Sequence, residues 1–404
     1  MLEWKRSRKI LLCVTGGIAA YKIPDLVSRL RKLDCEVEIV LTKAAESIVS
    51  PLALSTLSGR RAWLQDDFLS DKRGFEIPHI HLADWAEVVV VAPCSAETAS
   101  GLAQGRAESV VAAALLATRA PVVLFPAMNV HMFEHPATQQ NLRILAERGV
   151  RVVDPEFGSL ACGYEGKGRL PETALILEEI AYALSPRRNL AGRHVLVTAG
   201  PTREYLDPVR FISNPSTGKM GMAMARTAWY RGAEVRVVLG PAPRVGSTHG
   251  LEVHDVVSAL AMRDAVMENL EWAGCVVKAA AVGDYRSEER VEHKIKREKK
   301  DSLTFSLVQN PDIAAEVGKN RRAGQFLIGF AAETDDLVQN ARAKMARKGL
   351  DLMVANDVSA PGSGFGADTN TVRIISDDDE TQFSGSKEAV ADAVWEAAVR
   401  RWLP

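Results

Sequence analysis

The sequence has few cysteines, no long hydrophobic run and almost no net charge. Its five cysteines are scattered over 404 residues, with no CxxC pair and no histidine at zinc-ligand spacing. Neither a disulfide framework nor a zinc module is therefore expected. No apolar stretch approaches the roughly 20 residues that span a bilayer. The formal net charge of -1 gives no reason to expect binding to nucleic acid or to a membrane.

The N-terminal segment carries basic residues, but it does not have the pattern of a secretory signal. Thr15-Gly16-Gly17 interrupts the apolar run that follows the basic residues, which is typical of a strand and its turn. Sparse cysteines without an even pairing favour free thiols in a reducing compartment. Together these features predict a cytoplasmic protein.

Length and patterning predict two α/β domains. The chain is too long for one ordinary core, and 47% hydrophobic with 25% charged residues is a globular composition. Short β-rich apolar runs alternate with longer amphipathic segments, which indicates doubly wound, Rossmann-like sheets with mainly parallel strands. In the first half, strands are predicted at residues 9–14, 37–41, 88–92 and 122–125, and helices at residues 19–32 and 96–117.

The same alternation restarts at His194, after a Pro- and Gly-containing linker at residues 185–193. We therefore predict domains of residues 1–189 and 190–404. Neither half carries GxGxxG or a P-loop, so ordinary dinucleotide and P-loop sites are not expected. Later elements are predicted at residues 220–231 (helix), 274–280, 325–330, 351–355 and 372–375 (strands), with loops at 240–250 and 287–301. The second loop is highly charged and is either a mobile lid or a solvated loop.

Polar residues follow the predicted strands of the first half, at the sheet edge where open α/β proteins bind ligands. The Thr15-Gly16-Gly17 turn either cradles a phosphate or is a tight structural turn. Ser95 and Thr98 follow the third strand. Asn129 follows the fourth, where its amide either holds a carboxylate or simply forms a turn.

His79 and Cys162 are candidates for proton chemistry. His79 and His81 would share a face in an extended segment, which leaves a catalytic base, a metal ligand and an ordinary histidine as alternatives. Cys162 lies among glycines in a predicted loop, and Lys167 and Arg169 nearby would favour its thiolate.

In combination, the segments TGGIAAYK, HIHLADWA, PAMNVHM and ACGYEGKGRLPE resemble the flavin-dependent cysteine decarboxylases. The resemblance covers nearly all of residues 9–182 and implies a flavodoxin-like flavoprotein half. It implies that His79 is the base beside the flavin, that Asn129 holds the substrate carboxylate and that Cys162 donates a proton. The residues implied to bind FMN are Gly16, Gly17, Ile18, Thr42, Ser95 and Thr98.

The chemistry implied by this resemblance is the loss of CO₂ from a cysteine-derived carboxylate. Oxidation of the thiol to a thioaldehyde with FMN creates an electron sink β to the carboxylate, so CO₂ can leave. Two departures from the family pattern concern this half. Glu97 stands where relatives more often have Asn, and Tyr164-Glu165 is an unusual pair within the Cys162 loop.

The second half has its own polar segments. STGKMG at residues 216–221 opens a helix, and it either cradles a phosphate or caps that helix. Lys294 lies in the charged loop and is either solvated or directed at a ligand. Lys344 and Lys348 share a helical face, where they act on a ligand or complement the helix dipole.

Together, GPTREYLDPVRFISNPSTGKMG, AAAVGDYR, KIKR, NPDI, GFAAET and ARAKMARKGLD resemble phosphopantothenate–cysteine ligase over about residues 190–385. The resemblance implies CTP as the activating nucleotide and Mg²⁺ as a cofactor. It implies that Arg210 and Asn214 act on the acyl intermediate and Lys294 on the transferring phosphoryl group. Gly283 replaces a more usual Ser or Ala. The residues implied to contact CTP are Ala280, Asp284, Lys294, Pro311, Asp312, Ile313, Ala314, Phe330, Lys344 and Lys348.

Both resemblances together imply a bifunctional enzyme of coenzyme A synthesis. CTP would activate 4'-phosphopantothenate as an acyl-cytidylate, cysteine would displace CMP, and the flavin half would decarboxylate 4'-phosphopantothenoylcysteine to 4'-phosphopantetheine. Flavin sites of related decarboxylases lie between subunits, which implies a homo-oligomer with a trimer-based flavin half and a dimeric ligase half.

Two alternatives concern the first half, namely a peptidyl-cysteine decarboxylase and a flavin-binding regulatory protein. The fused ligase-like half argues against the former. The presence of both His79 and Cys162 argues against the latter.

Overall fold

The computed structural model describes residues 7–68, 70, 77–161, 163–185, 187–243, 246–296, 303–333, 337–357 and 366–403. The chain divides into two compact units, Leu2–Ser185 and Pro186–Pro404. The division falls at the start of the predicted linker, residues 185–193. Of the helices in the described ranges, none is both long and apolar enough to cross a bilayer.

The first unit is built on a parallel sheet whose strands are apolar on both faces. Its strands are β1 (Lys9–Val14), β2 (Glu36–Leu41), β3 (Val88–Cys94), β4 (Val122–Pro126) and β5 (Arg151–Val152). They are arranged in the order β2-β1-β3-β4-β5, which is the flavodoxin-like order, and all are parallel. The predicted fold class of this half is confirmed.

Helices cover both faces of this sheet. They are α1 (Ile23–Lys32), α2 (Lys43–Glu46), α3 (Pro51–Ser58), α4 (Pro78–Trp85), α5 (Ala96–Ala103), α6 (Val110–Ala117), α7 (Val130–Glu134), α8 (Pro136–Glu147) and α9 (Thr173–Leu184), with 3-10 turns at Ile18–Lys22 and Gln65–Asp67. A hairpin of β6 (Glu156–Ser159) and β7 (Glu165–Arg169) precedes α9. Because side chains alternate along a strand, Leu12 packs in the core layer that contains Leu26 of α1, whereas Leu11 packs in the layer that contains Leu82 of α4.

Two local predictions for the first unit are wrong. Residues 96–117 were expected to form one helix, but α5 and α6 are separate. Gly105 adopts φ +70° just after α5, and the Ser109 side chain caps α6 by accepting a hydrogen bond from the Ala112 N–H at 3.1 Å. His79 and His81 do not lie in an extended segment, because α4 contains both of them.

The second unit contains an eight-stranded sheet with the order β12-β11-β8-β13-β16-β17-β18-β19. Its strands and two small hairpins are β8 (His194–Ala199), β9 (Arg203–Tyr205), β10 (Phe211–Ser213), β11 (Glu234–Leu239), β12 (Leu251–Asp255), β13 (Cys275–Lys278), β14 (Tyr285–Ser287), β15 (Leu307–Gln309), β16 (Phe326–Glu333), β17 (Leu352–Asp357), β18 (Thr369–Ile375) and β19 (Glu380–Ser386). The first six strands of the sheet are parallel and the last two are antiparallel additions, so the sheet is mainly parallel, as predicted.

The helices of this unit again lie on both faces of the sheet. They are α10 (Lys219–Tyr230), α11 (Ala259–Leu270), α12 (Ile313–Asn320), α13 (Leu337–Lys348) and α14 (Lys387–Trp402). On one face, Val276 and Leu327 pack with Val317 of α12 and Met345 of α13. On the other face, α10 and α14 are joined where the buried Trp395 Nε1 donates to the carbonyl of Met224 at 3.0 Å.

The two predicted loops are described only in part. The described residues of the 240–250 loop form no helix or strand, and Arg244 and Val245 lie outside the described residues. The 287–301 segment begins with the last residue of β14, and its residues 297–301 lie outside the described residues. The choice between a mobile lid and a solvated loop therefore stays a prediction.

Candidate functional site

A cavity of about 510 Å³ opens at the carboxyl edge of the first sheet. The turn after β1, the start of α5, the turn after β4 and the β6–β7 hairpin form its walls. Four of the predicted FMN ligands and the predicted carboxylate-binding residue line it, namely Gly16, Gly17, Ile18, Ser95 and Asn129. The other two predicted FMN ligands are not among the lining residues. Thr98 lies in the first turn of α5, and Thr42 directly precedes α2.

The buried Thr15 hydroxyl holds the ends of β1 and β3 together. It donates to the carbonyl of Pro93 at 2.8 Å and accepts from the Ser95 N–H at 2.9 Å. Ser95 then caps α5, because its Oγ accepts from the Thr98 N–H at 3.3 Å and lies 3.1 Å from Thr98 Oγ1. Thr98 therefore supports Ser95 at the cavity wall.

Close packing against α2 explains why the first residue of the turn after β1, Gly16, is a glycine. A Cβ on Gly16 would lie 2.4 Å from the Cβ of Ala44 in α2. The Thr42 side chain caps α2 by accepting from the Ala45 N–H at 3.4 Å. Thr42 thus fixes the short helix against which Gly16 packs.

The β6–β7 hairpin packs against the turn that carries Asn129. The Met128 N–H donates to the carbonyl of Gly168 at 3.0 Å, and a Cβ on Gly168 would lie 2.2 Å from the Met128 oxygen. A Cβ on Gly166 would likewise lie 2.6 Å from a methyl group of Val130. The glycines of the GKG segment are therefore required for this close approach. Asn129 itself caps α7, accepting from the His131 N–H at 2.9 Å.

Cys162 lies outside the described residues, but the chain on either side of it is described. Leu160 and Ala161, which precede it, line the cavity. The turn is closed by a hydrogen bond of 2.8 Å from the Leu160 N–H to the carbonyl of Tyr164. The Tyr164 ring packs edge-on against His131 at 5.1 Å, which accounts for one of the unusual residues of this loop.

The four other cysteines are poorly suited to chemistry. Cys13, Cys35, Cys94 and Cys275 are all buried. Burial raises the pKa of the Cys13 and Cys35 thiols to about 12, and it raises the pKa of Cys94 and Cys275 as well. These thiols are therefore protonated at neutral pH.

His79 lies on α4 and is not among the residues that line the cavity. Its ring packs edge-on against Phe68, with centroids 5.6 Å apart, and its Nδ1 is buried with no hydrogen-bond partner in the described part of the chain. His81 contacts Trp63 instead. Residues two apart on a helix point away from each other, so the predicted shared face is wrong.

Lys22 is a residue of the cavity that the sequence analysis did not single out. It lines the cavity, and its buried Nζ has no hydrogen-bond partner among the described residues, although Glu172 Oε1 lies 3.5 Å away. Arg169 also lines the cavity and also pairs with Glu172. Lys167, expected to favour a thiolate at Cys162, pairs with Asp154 at 3.1 Å. The cavity is suitable for a phosphate-bearing ligand because the cationic side chains of Lys22 and Arg169, the backbone of the glycine-containing turn and a small hydroxyl side chain line it.

In the second unit, Asp207 connects the predicted residue Arg210 to the segment that carries Lys294. This fully buried carboxylate accepts from the Val209 and Arg210 N–H groups at 2.7 Å, from the Ile295 N–H at 3.1 Å and from the Arg210 guanidinium at 2.8 Å. Arg210 also donates to the carbonyl of Ile295 at 3.0 Å. Lys294 itself is exposed.

The pKa of Asp207 follows from this environment. Burial raises it, but the backbone N–H groups of Arg210, Val209 and Ile295 and the Arg210 charge together outweigh burial and lower it to about 2. Asp207 is therefore ionised at neutral pH. Sequence reasoning missed it, although the DPVR segment contains the signal of a carboxylate three residues before an arginine.

The remaining predicted nucleotide contacts converge at the carboxyl edge of the second sheet. Asn214 Nδ2 donates to the carbonyl of Val282 at 3.2 Å, and Asn310 Nδ2 donates to the carbonyl of Gly283 at 2.8 Å. The Ala280 N–H is held by Thr198 Oγ1 at 3.2 Å. The Asn310 side chain, together with the Asn310 N–H that donates to the carbonyl of Asp284 at 2.8 Å, joins the loop of Ala280 and Asp284 to the segment of Pro311, Asp312, Ile313 and Ala314.

Asp312 caps α12 and pairs with α13. Its Oδ1 accepts from the Ala315 N–H at 3.1 Å, and its Oδ2 lies 3.0 Å from Lys348 Nζ. Burial raises the pKa of Asp312, but the Ala315 N–H and Lys348 outweigh that effect and hold it below its usual value. Lys344, one turn earlier on α13, is half-buried, and Phe330 lies near the carboxyl end of β16.

The start of α10 differs from an ordinary capped helix. Gly218 precedes it with φ +76°, and no side chain caps the helix. The predicted phosphate cradle of STGKMG is therefore compatible with the backbone. However, Lys219 pairs with Asp368 at 2.6 Å and donates to the carbonyl of Gly366 at 2.9 Å, so its ammonium has partners within the protein.

Two further features bear on ligand binding. A cavity of about 680 Å³ lies at the opposite, amino edge of the second sheet, beside Gln325, Asp351 and Trp402, and none of the predicted site residues lines it. Over the described ranges, no three His, Cys, Asp or Glu side chains are grouped so that they could hold a metal ion.

Comparisons with known proteins bear on both units. Residues 2–185 match the protein-family model described as Flavoprotein, and residues 190–401 match the DNA/pantothenate metabolism flavoprotein C-terminal domain. The chain is 44% identical over 372 residues to the coenzyme A biosynthesis bifunctional protein CoaBC of Bacillus subtilis (strain 168), covering 91% of this chain and 90% of that protein. It is 40% identical over 399 residues to CoaBC of Escherichia coli (strain K12), covering 98% of each chain.

Among solved structures, the C-terminal domain of a coenzyme A biosynthesis bifunctional protein CoaBC is 34% identical. That match covers 52% of this chain and 95% of that one, with a TM-score of 0.44. The FMN-dependent cysteine decarboxylase SpaF is 28% identical, and the match covers 44% of this chain and 95% of that one with a TM-score of 0.38.

Proposed function

The chain belongs to the family of bifunctional coenzyme A biosynthesis proteins, which are enzymes with a decarboxylase and a ligase activity, and we propose how its two domains divide the work. Residues 190–404 join 4'-phosphopantothenate to cysteine at the expense of CTP. Residues 1–189 then decarboxylate the product, 4'-phosphopantothenoylcysteine, to 4'-phosphopantetheine. The observation that carries the proposal is that one cavity is lined by the Gly16-Gly17 turn, Ser95, Asn129 and the β6–β7 hairpin, whose loop contains Cys162.

The cavity suits FMN, and the match to a flavoprotein family supports a flavin there. Gly16, Gly17, Ile18 and Ser95 would contact it directly. Thr42 would support these contacts by capping α2, and Thr98 would support them through its hydrogen bonds to Ser95. Lys22 offers a buried cation to the phosphate. When bound, the flavin supplies a reversible two-electron oxidation of the substrate thiol, which creates the electron sink for loss of CO₂.

The protein side chains would then bind the substrate and move protons. Asn129 orients the substrate carboxylate from the turn between β4 and α7. Cys162 protonates the decarboxylated product from the hairpin whose neighbouring residues line the cavity. His79 would serve as the base beside the flavin, where its unpartnered Nδ1 would gain a hydrogen-bond partner.

The position of His79 supports an assembled site. Since His79 does not line the cavity of its own chain, we propose that it acts on a flavin bound by a second copy, in a trimer-based homo-oligomer. The ligase domains would pair as dimers. Sedimentation of the flavin-loaded protein tests this proposal, because we expect multiples of three chains. A monomer with full decarboxylase activity would contradict it.

The ligase domain would activate the carboxylate of 4'-phosphopantothenate by transfer of CMP. Lys294 would offset charge on the phosphoryl group from a segment that Asp207 holds beside Arg210, and Arg210 and Asn214 would stabilise the acyl-cytidylate. The bond from the carboxylate oxygen to phosphorus forms as pyrophosphate leaves. The cysteine amine then displaces CMP. Mg²⁺ would be held largely by the nucleotide phosphates and would neutralise their charge.

Separate assays test the two halves. In the first, flavin-loaded protein is given 4'-phosphopantothenoylcysteine, and CO₂ and 4'-phosphopantetheine are expected. A peptide ending in cysteine serves as the competing substrate, and faster turnover of that peptide would favour a peptidyl-cysteine decarboxylase. Binding of flavin with no turnover of either compound would favour a regulatory protein.

In the second assay, the protein is given 4'-phosphopantothenate, cysteine, Mg²⁺ and one of CTP, ATP, GTP or UTP. We expect nucleoside monophosphate to appear chiefly from CTP, and removal of Mg²⁺ to stop it. Equal or faster release of AMP from ATP would overturn the assignment of CTP.

A further inference from the structure

Lys278, the last residue of β13, is a buried amine that the proposed reactions do not use. Only 8% of the surface of Lys278 is accessible to solvent. Its Nζ has no hydrogen-bond partner in the part of the chain that the structure describes. A buried polar group without a partner opposes folding, and an apolar side chain would fit the end of a buried strand better. An amine at this position therefore calls for an explanation beyond packing.

The surroundings of Lys278 are the proposed nucleotide contacts. Val276, two residues earlier on β13, packs in the core beneath α11, α12 and α13, and the alternation of side chains places Lys278 on that same face. The charged groups that act on Lys278 are Asp312 at the start of α12 and Lys348 on α13. Burial lowers the pKa of Lys278 to about 7; Asp312 opposes this shift and Lys348 adds to it.

Asp312 alone does not balance the charge at this place. One of its carboxylate oxygens accepts from the Ala315 N–H and the other pairs with Lys348. The start of α12 adds the positive end of a helix dipole. A second ammonium at Lys278 would therefore need a further anion, and a nucleotide phosphate is an anion that the proposed reaction brings to these residues.

We infer that Lys278 is a further nucleotide-binding residue, whose amine takes up a proton and donates it in a hydrogen bond to a phosphate oxygen of the bound nucleoside triphosphate. The inference rests on the proposed function, because it assumes that CTP binds beside Asp312 and Lys348. In the free protein most of the amine is neutral at pH 8. In the complex it is an ammonium paired with phosphate.

Calorimetric titration of the full-length, flavin-loaded protein with Mg²⁺ and CTP tests this inference at pH 8, in two buffers of different ionisation enthalpy. With a pKa of about 7, only about a tenth of Lys278 is protonated at pH 8 before binding. The wild-type protein should therefore take up close to one proton more than Lys278→Met when CTP binds. Lys278→Met should also bind CTP at least about tenfold more weakly, as expected for loss of a charged hydrogen bond.

Two controls separate this effect from general damage. Lys319→Met changes an exposed lysine on the same helix as the Asp312 cap and should leave both quantities unchanged. Lys278→Met should unfold at no lower a temperature than wild type at pH 7, since it removes a buried amine, and it should still decarboxylate supplied 4'-phosphopantothenoylcysteine.

The outcomes also distinguish this inference from the proposed function. Wild-type affinity and wild-type proton uptake in Lys278→Met would overturn the role of Lys278 while the ligase function stands. A wild-type protein that neither binds CTP nor releases CMP would overturn the proposed function, and the role of Lys278 with it.

Discussion

At the scale of single residues, buried charges organise the second domain. Asp207 has no exposed surface, yet it receives three backbone N–H groups and a guanidinium. These partners favour the ionised form of Asp207. They also attach the segment that contains Lys294 and Ile295 to the β9–β10 hairpin, whose loop carries Arg210. A carboxylate of this kind positions other groups, and it need not touch the substrate to affect the reaction.

Asp207→Asn should slow CMP formation by about tenfold or more, because a neutral amide no longer holds both the Arg210 guanidinium and the Ile295 N–H. Decarboxylation of supplied 4'-phosphopantothenoylcysteine should be unchanged. Asp264→Asn, which alters an exposed carboxylate paired with Arg263, is the matched control. If both variants form CMP at the wild-type rate, Asp207 does not position the site.

The same residue predicts a pH dependence of stability. Because its pKa in the folded protein is about 2, below that of an unfolded aspartate, its contribution is present in full above about pH 4. The contribution is lost as the pH falls through the range from about 4 to 2. Acid unfolding followed by circular dichroism should therefore show a smaller loss of stability over that range in Asp207→Asn than in wild type.

Cys162→Ser should separate loss of CO₂ from completion of the product. A serine hydroxyl is too weak an acid to replace the thiol, so CO₂ should still form while 4'-phosphopantetheine falls by at least about a hundredfold. Measurement of both products from 4'-phosphopantothenoylcysteine checks this. Equal loss of CO₂ and product would refute the proton-donor role.

Sequence reasoning reached the motif residues but not their supporting partners. Ser95 and Asn129 could be predicted to lie together because each follows a strand of the same parallel sheet. Lys22 and Lys278 gain their significance from burial, which a local sequence pattern does not show. Asp207 gains part of its significance from the Ile295 N–H, 88 residues away in the chain. The position of His79 away from the cavity also depends on tertiary packing.

At the scale of elements, the cavity wall depends on a close approach of backbones. The β6–β7 hairpin touches the turn of Met128 and Asn129 where Gly168 has no side chain. This contact connects the β6–β7 hairpin, whose loop contains Cys162, to Asn129, the proposed carboxylate-binding residue. Movement of one element would therefore displace the other.

Gly168→Ala should weaken flavin binding by at least about tenfold and lower the melting temperature by several degrees, since its Cβ would meet the Met128 oxygen at 2.2 Å. Gly149→Ala is the matched control. It also places alanine at a positive φ, +87°, but in open space, so only the backbone strain of about 1 kcal/mol is expected. Flavin fluorescence and thermal unfolding measure both effects, and similar flavin affinity in the two variants would contradict the importance of this contact.

Strands were easier to predict than the breaks between helices. The runs at residues 88–92 and 122–125 are apolar throughout, because helices cover both faces of a parallel sheet. The segment at residues 96–117 is predicted as one helix because its alanines and leucines outweigh its two glycines, Gly101 and Gly105. The hairpins β6–β7, β9–β10 and β14–β15 were missed, since their strands are only three to five residues long and form through pairing rather than through burial.

At the scale of the whole molecule, two compact units carry two chemistries in one chain. The proposed ligase residues all lie in Pro186–Pro404, and the proposed decarboxylase residues all lie in Leu2–Ser185. Changes in one unit should therefore leave the chemistry of the other intact.

Lys294→Gln should reduce CMP formation by at least about a hundredfold, since it removes the cation proposed to offset charge on the phosphoryl group. Turnover of supplied 4'-phosphopantothenoylcysteine should remain at the wild-type rate. Lys296→Gln, two residues along the same exposed segment, is the control and should affect neither activity strongly. Loss of both activities in Lys294→Gln would contradict the division of function between the units.

The most direct test of the account is one reaction that contains the flavin-loaded protein, 4'-phosphopantothenate, cysteine, Mg²⁺ and CTP. If the two domains act in sequence, CMP, CO₂ and 4'-phosphopantetheine are released in equal amounts. Release of CMP with accumulation of 4'-phosphopantothenoylcysteine and no CO₂ would contradict it, as would the absence of CMP.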